Sequence, residues 1–515
     1  MVNARGRYVD YQVSLSYVGT VLKYLGVTPL FPLALALFYG DDPLPFIVTS
    51  AVMVVTGALL ERFTHDGELG NREAFLLVSL AWLVVPVAGT IPYLVAGVGT
   101  VADPVNALFE SMSGFTTTGA TVLGEISVER HGHAMLLWRQ LTQWLGGMGI
   151  LVLMVAILPE LSVGGAQVIN EEAPGLSLEK LTPRIQETAR ALWGIYAGFT
   201  VLAALVYYGL HLAGVAPNMD LYNAVAHALT TMPTGGFSPE PRSVEAFSPA
   251  IQWAIMPFMI VAGTNFGLFW YVLRGEPREL TDNSEFRAYL LAIVGVGVLI
   301  SAVLYVGVGL AETPVNIDPI PGNIENSLRQ GLFQVIAIVT TTGYASMDFN
   351  TWDASAQTML LFAYFLGGSA GSAAGSIKIV RWVLVKRTAG QSLFRSVHPD
   401  AVRPIRISRD VIEDETIRDV FVFVLIFLTL FALSTVLIYL DSYRTPDVTL
   451  TGLEAMSVAI ATLGNVGPGF GVVGPMNSFR PFSDAAKLYM VVLMWIGRLE
   501  IISVLVILTP SFWQR

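Results

Sequence analysis

The sequence predicts an all-α polytopic membrane protein: about ten transmembrane helices plus four short re-entrant pore helices. These form pseudo-fourfold helix, pore-helix, helix repeats preceded by two extra helices. Three observations predict it. Hydrophobic residues make up 54% of the 515 and charged residues only 13%, about half the charged share of a soluble domain. Near charge-free runs of about 20 residues recur along the chain, the length a helix needs to cross a hydrocarbon core of roughly 30 Å while pairing its own backbone groups. A glycine-centred motif returns four times at nearly equal spacing.

Taken in order, residues 1–65 supply two N-terminal helices, a long run over Tyr11 to Gly40 that contains Lys23 and a shorter one over Pro43 to Leu60. The first is longer than a signal-peptide core and is followed closely by the second, so both are read as retained spans. Repeat 1 covers 66–175, with spans Ala74 to Ala102 and Gln140 to Pro159 around a loop at 116–121. Repeat 2 covers 176–280, with spans Ala191 to Met219 and Ala246 to Leu273 around 233–238. Repeat 3 covers 281–400, with spans Ala288 to Ala311 and Ala354 to Ile377 around 340–345. Repeat 4 covers 401–515, with Val420 to Leu440 and a last span, Leu488 to Trp513, interrupted by Arg498 and Glu500, around 462–469.

Basic residues gather in three connections: Lys180, Arg184 and Arg190; Arg274, Arg278 and Arg287; and Arg381, Lys386, Arg387, Arg395, Arg403, Arg406 and Arg409. The positive-inside rule makes these loops cytoplasmic, and ten spans then place both termini inside, in agreement with Arg5 and Arg7. The net charge is −10, with Asp348, Asp353, Asp441 and Asp447 in segments assigned to the outside. A negative mouth concentrates cations; an acidic surface also simply maintains solubility, and both readings stand. The absence of cysteine excludes disulfides and thiolate metal sites.

Aligned on Gly119, Gly236, Gly343 and Gly464, at spacings of 117, 107 and 121 residues, the four loops share a threonine two positions earlier: Thr117, Thr234, Thr341 and Thr462. Twelve positions before the glycine stands a small residue, Ala107, Ala224, Gly331 or Gly452, followed by Leu108, Val225, Leu332 or Leu453. Each segment is about a dozen residues, half a crossing, so it reads as a re-entrant helix and a loop, which membrane depth tolerates only where the backbone lines water or protein. Four such loops imply one aqueous axis. Rings of backbone carbonyls replace a monovalent cation's hydration shell, glycine turns those carbonyls toward the axis, and the helix C-termini favour a cation there. The predicted filter is Thr117, Thr118, Gly119, Thr234, Gly235, Gly236, Thr341, Thr342, Gly343, Thr462, Leu463, Gly464 and Asn465.

With TTTGAT at Thr116 to Thr121, PTGGF at Pro233 to Phe237, TTTGY at Thr340 to Tyr344 and LGNVGPG at Leu463 to Gly469, the chain resembles the TrkH-like members of the Trk, Ktr and HKT potassium transporter superfamily over nearly its whole length. The resemblance implies a multi-pass cell-membrane protein whose transported ion is K+. It implies a homodimer with cytosolic, TrkA-like nucleotide-binding regulatory subunits beneath it, the nucleotide belonging to those subunits. In related proteins a serine at the first filter glycine accompanies sodium transport, so Gly119 favours potassium. The second and fourth loops depart from the pattern, with Pro233 and Gly235 in one and Leu463 and Asn465 in the other.

In repeat 3 the second span contains GGSAGSAAGS, Gly367 to Ser376, ten residues without a large side chain. Such a run is a poor helix and is expected to form a gating loop through Gly367, Gly368, Gly371 and Gly375, with Lys378 and Arg381 at its cytoplasmic end. Close helix packing through small residues is the alternative, and the resemblance favours the loop. Arg498 is costly within a span and by the resemblance faces the cavity under the filter. Glu110 and His227, nine residues before their glycines, are placed to hydrogen-bond neighbouring loops. The basic connection from Arg381 to Arg418 suits a regulatory partner or anionic membrane lipid, and nothing calls for nucleic acid. An enzyme is not expected: Gly367 to Gly371 spells GxSxG, but the motif needs a strand-to-helix elbow and a histidine base, and the six histidines stand in no partner motif. Proton- or sodium-coupled symport, or weaker discrimination between K+ and Na+, stays open at this stage.

Overall fold

A computed structural model describes residues 9–63, 70–156, 185–312, 317–400, 404–407, 410–445 and 448–514. Arg5, Arg7, Lys180, Arg184, Arg403, Arg409, Asp447, the end of the run to Pro159 and the boundaries drawn at 65/66 and 175/176 lie outside them. The described chain is helical apart from loops and one two-stranded antiparallel ribbon pairing Arg406–Ile407 with Asp410–Val411.

Among the described residues, six helical stretches are long and apolar enough to cross a membrane: Tyr11–Tyr39, Leu44–Phe63, Arg72–Ala96, Thr188–Leu212, Ser284–Val306 and Asp414–Ser442. Two bent pairs raise the count to eight, Pro249–Ala262 with Phe266–Leu273 at 97° and Asp484–Arg498 with Ile502–Leu508 at 115°. The run read as continuous from Ala246 to Leu273 is therefore broken, and the last span breaks where Arg498 and Glu500 interrupt it. The span read as Ala354 to Ile377 is broken too, since its helix stops at Ala363 and resumes only at Ile379. Glycine and serine over 367–376 give the backbone too little to hold it helical. Helix His133–Ala156 begins seven residues before the predicted Gln140, since the polar turn carrying Arg139 is buried and helical.

This is a membrane protein, and its polarity is arranged accordingly. Large apolar side chains such as Leu291, Phe362 and Leu425 are exposed on the flanks, while Arg139, Gln143, His227 and Gln334 are fully buried. Lys23, the charge that marred the first run, pairs with Glu61 at 2.6 Å. Beside it Gly19 and Gly57 let two N-terminal helices touch backbone to backbone, a Cβ on either meeting the other's carbonyl at 2.6–2.7 Å.

Four shorter helices sit inside this frame: Pro104–Phe115, Leu221–Thr231, Ile324–Val339 and Gly452–Leu463. Each starts on a side chain that satisfies its free N–H groups, Asp103, Asp220 and Asn323 in the first three and a Thr451/Glu454 capping box in the fourth. With 11 to 16 residues they rise only about 16–24 Å, and three of the four stop well short of a crossing. Each ends where one of the predicted loops begins.

Candidate functional site

The four loops fold alike. Two or three residues beyond each helix end the chain enters the left-handed region twice, with one residue between: Thr117 and Gly119, Thr234 and Gly236, Thr341 and Gly343, and Asn465 and Gly467. The N–H of each of those glycines donates to the carbonyl six residues earlier, Ser113, Thr230, Ala337 and Ala461. Alternating left- and right-handed residues turn successive carbonyls to one side, which an all-right-handed chain cannot do. Non-glycine residues at φ of +52° to +57° are strained, and strain of this kind gathers at functional sites.

The loops also close on one another. A Cβ on Gly119 would lie 2.2 Å from the Gly235 carbonyl oxygen, one on Gly236 1.9 Å from that of Thr342, one on Gly343 2.0 Å from that of Val466, and one on Gly467 2.6 Å from that of Thr118. Each glycine therefore abuts the residue before the next glycine, and the fourth returns to the first. This is a ring of four loops about a single axis, with a depression of about 60 Å³ lined by residues of all four on its far side.

The ring corrects the fourth loop. Of the predicted Thr462, Leu463, Gly464 and Asn465 only Asn465 belongs to it, followed by Val466 and Gly467, so the register shifts by three residues. Thr462 is the last turn of its helix, where its hydroxyl donates to the Val458 and Ala459 carbonyls, and Gly464 caps that helix at φ −83°. Threonine two positions before the glycine is thus shared by three loops, with asparagine in the fourth, the spacing is 124 residues, and the small residue twelve before is Ala455 rather than Gly452.

Behind the ring, polar side chains on the short helices hold each loop's outgoing strand. Glu110 accepts from the Val122 N–H at 2.9 Å and the Thr121 hydroxyl at 3.0 Å, His227 contacts Ser238 Oγ at 3.0 Å, and Gln334 donates to Ser346 Oγ at 3.1 Å. Each serves its own loop, not a neighbouring one. Arg139 pairs with Glu110 at 2.8 Å with both side chains buried, and its guanidinium lies 4.1 Å from the Phe237 ring centroid. Sequence reasoning passed over both Arg139 and Gln143: Gln143's partners lie in repeat 2, and Arg139 joins Glu110 of its own repeat to the Ser238 carbonyl and the Phe237 ring of the next.

Below the ring lies the Gly367 to Ser376 segment. A Cβ on Gly375 would meet the Gly464 carbonyl at 2.4 Å, and the Gly375 N–H donates to Thr341 Oγ1 at 2.7 Å. Its backbone pairs with the break in the neighbouring span: Ser369 N–H donates to Gly263 O at 2.8 Å and Phe266 N–H to Gly371 O at 3.2 Å. Two interrupted helices thus satisfy each other's freed backbone groups. Arg498, at the break of the last span, donates to Ala373 O at 2.7 Å and to Gly146 O at 3.4 Å. Lys378 and Arg381 are buried instead of marking a solvated end; Lys378 donates to Ala374 O and Arg381 pairs with Glu500. Ser369 Oγ is buried and has no hydrogen-bond partner among the described residues.

The family model described as TrkH, cation transport protein, matches residues 46–515. The chain belongs to the TrkH family. It is 35% identical over 514 residues to the Trk system potassium uptake protein TrkH of Vibrio parahaemolyticus, covering 98% of this chain and 100% of that one. To the protein of the same name from Escherichia coli K12 it is 34% identical over 506 residues, covering 97% and 98%. The crystal structure of the potassium transporter TrkH from Vibrio parahaemolyticus matches with a TM-score of 0.82 at 33% identity over 98% of this chain and 99% of that one. The ring, its polar supports and the loop beneath are thus features of a TrkH family member, and the relatives carry the names of transporters.

Proposed function

We propose that this chain takes up potassium across the cell membrane through a channel-like, gated pore whose filter is the ring of four loops. One observation carries the reading: the cyclic contact from Gly119 to Gly236, Gly343 and Gly467 and back, which aims backbone carbonyls of four quadrants at one axis. Such a ring coordinates a dehydrated monovalent cation without the tight binding of a full charge. The buried Thr117 hydroxyl and the Asn465 side-chain oxygen, both without protein partners, add ligands under it. In this reading the four short helices are re-entrant, the straight helix from His133 and the interrupted segment from Ala354 complete ten spans, and both termini are cytoplasmic. The 367–376 segment with Arg498 is the gate. The likeness to proteins named for Trk potassium uptake supports potassium as the ion; the reading adds a homodimeric assembly and cytosolic TrkA-like nucleotide-binding subunits docking on the basic connections.

The test is a bi-ionic recording of the reconstituted chain with K+ on one side and Na+ on the other. The reading expects a reversal potential set by K+ and a shift toward Na+ in Gly119→Ser. A wild-type protein that passes neither ion, or a Gly119→Ser variant with unchanged selectivity, overturns it.

A further inference from the structure

The second loop is the odd quadrant of the ring. Loops 1 and 3 pair two hydroxyls across the strained threonine, Thr116 with Thr118 at 2.8 Å and Thr340 with Thr342 at 2.7 Å. The matching positions in loop 2 are Pro233 and Gly235, which carry no hydroxyl, and Gly235 is followed directly by Gly236. Two consecutive glycines form the least constrained backbone in the ring.

A side chain from another repeat occupies the vacated space. Gln143, on helix His133–Ala156, donates from Nε2 to the Gly235 carbonyl at 2.6 Å and accepts at Oε1 from the Phe237 N–H at 3.1 Å. A carbonyl only accepts and an N–H only donates, so these two partners define which way the amide is turned. Gln143 is fully buried, and its two bonds grip the backbone on both sides of Gly236. A Cβ on Gly235 would lie 2.4 Å from Cδ and Oε1 of Gln143. Glycine at 235 and glutamine at 143 are therefore two halves of one arrangement: a threonine at 235 and the glutamine exclude each other. Among the described residues, the counterpart carbonyls of Thr118, Thr342 and Val466 receive no hydrogen bond, so this grip belongs to one quadrant.

We propose that Gln143 is a selectivity-determining positioning residue: it sets the orientation of the Gly235 carbonyl, one of the four ring oxygens, and replaces the paired threonine hydroxyls that do this in loops 1 and 3. The inference rests on the pore reading above. Without the amide, the 235–236 peptide is free to rotate, the ring loses one fixed oxygen, and the cavity accepts a smaller or partly hydrated ion. Geometry, not charge, is what Gln143 contributes, since neither it nor its partners are ionised.

The test uses the full chain in reconstituted bilayers and reads the K+/Na+ permeability ratio. Gln143→Leu fills the space without the two bonds and is expected to lower the ratio by roughly tenfold, the scale of one properly aimed hydrogen bond, while K+ conduction persists. Gln143→Ala combined with Pro233→Thr and Gly235→Thr gives loop 2 the Thr-Thr-Thr-Gly of its neighbours and is expected to recover most of the wild-type ratio. The two threonines with Gln143 retained should fall below that triple variant. The inference is overturned if Gln143→Leu keeps the wild-type ratio, or if the triple variant is no better than the pair that retains Gln143; the latter comparison decides the matter if the leucine variant does not fold. Failure of the pore reading is distinguishable, because it shows in the wild type as the absence of any K+-selective current.

Discussion

Gly467→Ala and Gly464→Ala separate the ring seen in the structure from the register suggested by the motif. Gly467 has φ +103°, and an added Cβ would lie 2.6 Å from the Thr118 carbonyl oxygen and 3.0 Å from the Gly119 carbonyl carbon. A left-handed backbone costs an L-residue about 1–2 kcal/mol, and forcing a methyl against backbone adds roughly 1–3 kcal/mol. The total, on the order of 2–5 kcal/mol, falls on two loops at once, because the obstructing atoms belong to loop 1. Gly464 has φ −83°, its nearest obstruction is the Ile460 carbonyl of its own helix end at 2.8 Å, and its next contacts are at 3.5 and 3.6 Å. That one contact costs roughly 1–3 kcal/mol, offset in part because alanine is the better helix former, and it falls on the end of its own helix rather than on another loop. Since 1.4 kcal/mol is a factor of ten, Gly467→Ala is expected to lower the K+/Na+ permeability ratio at least tenfold in bi-ionic recordings, while Gly464→Ala stays within about threefold of wild type. The reverse order, with Gly464 sensitive and Gly467 tolerant, would refute the ring.

Three further outcomes are expected. Arg498→Ala removes the donor to the Ala373 and Gly146 carbonyls, and resting K+ flux into vesicles should rise several-fold; an unchanged resting flux contradicts the gate assignment. Thr341→Val removes the acceptor for the Gly375 N–H without changing shape and should raise resting flux in the same direction, whereas Thr341→Ser keeps the hydroxyl and should not. Arg139→Met strands the buried Glu110 carboxylate, costing about 3–5 kcal/mol, so thermal unfolding of the purified protein should drop markedly, and Glu110→Gln added to it should restore part of the loss.

Much of this was legible from composition and spacing. Apolar runs gave the frame, because a bilayer demands length and apolarity whatever the fold, and three loops were in register because each carries one threonine and one glycine at the right separation. The fourth failed for a physical reason. Three glycines, Gly464, Gly467 and Gly469, follow Thr462 within seven residues, and alignment on threonine selects the wrong one. The structure uses Asn465 instead, since asparagine tolerates the left-handed region better than most residues. Ala455, twelve before Gly467, was the available signal. The break in the second span of repeat 2 was hidden because apolar length says nothing about direction: Gly263 to Asn265 turns a continuous hydrophobic run by 97°. Gln143 was hidden because a cross-repeat partner leaves no periodicity, and Arg139 because Glu110 stands 29 residues away, beyond any helical spacing.

The four second spans divide their tasks. That of repeat 1 is described as one unbroken helix, and from it Arg139 and Gln143 brace loops 1 and 2. Those of repeats 2, 3 and 4 are interrupted, and their interruptions meet at the 367–376 segment. Among the described residues, six hydrogen bonds tie that segment to elements outside its own span: Ser369 to Gly263, Ala373 to Ala262, Phe266 to Gly371, Ala370 to Glu285, Gly375 to Thr341 and Arg498 to Ala373. At about 0.5–1.5 kcal/mol net for each, moving the loop aside costs roughly 3–9 kcal/mol unless water or new partners replace them. Removing a single bond shifts such an equilibrium by only about tenfold at most, which is why Thr341→Val and Arg498→Ala should raise resting flux without leaving the pore fully open. If the segment is the gate proposed above, the same sum implies that opening needs a displacement acting on several of these contacts together. Helix Ile379–Val397, which continues from the loop and carries Lys386 and Arg387, is the element through which a push from the cytoplasmic side would reach them.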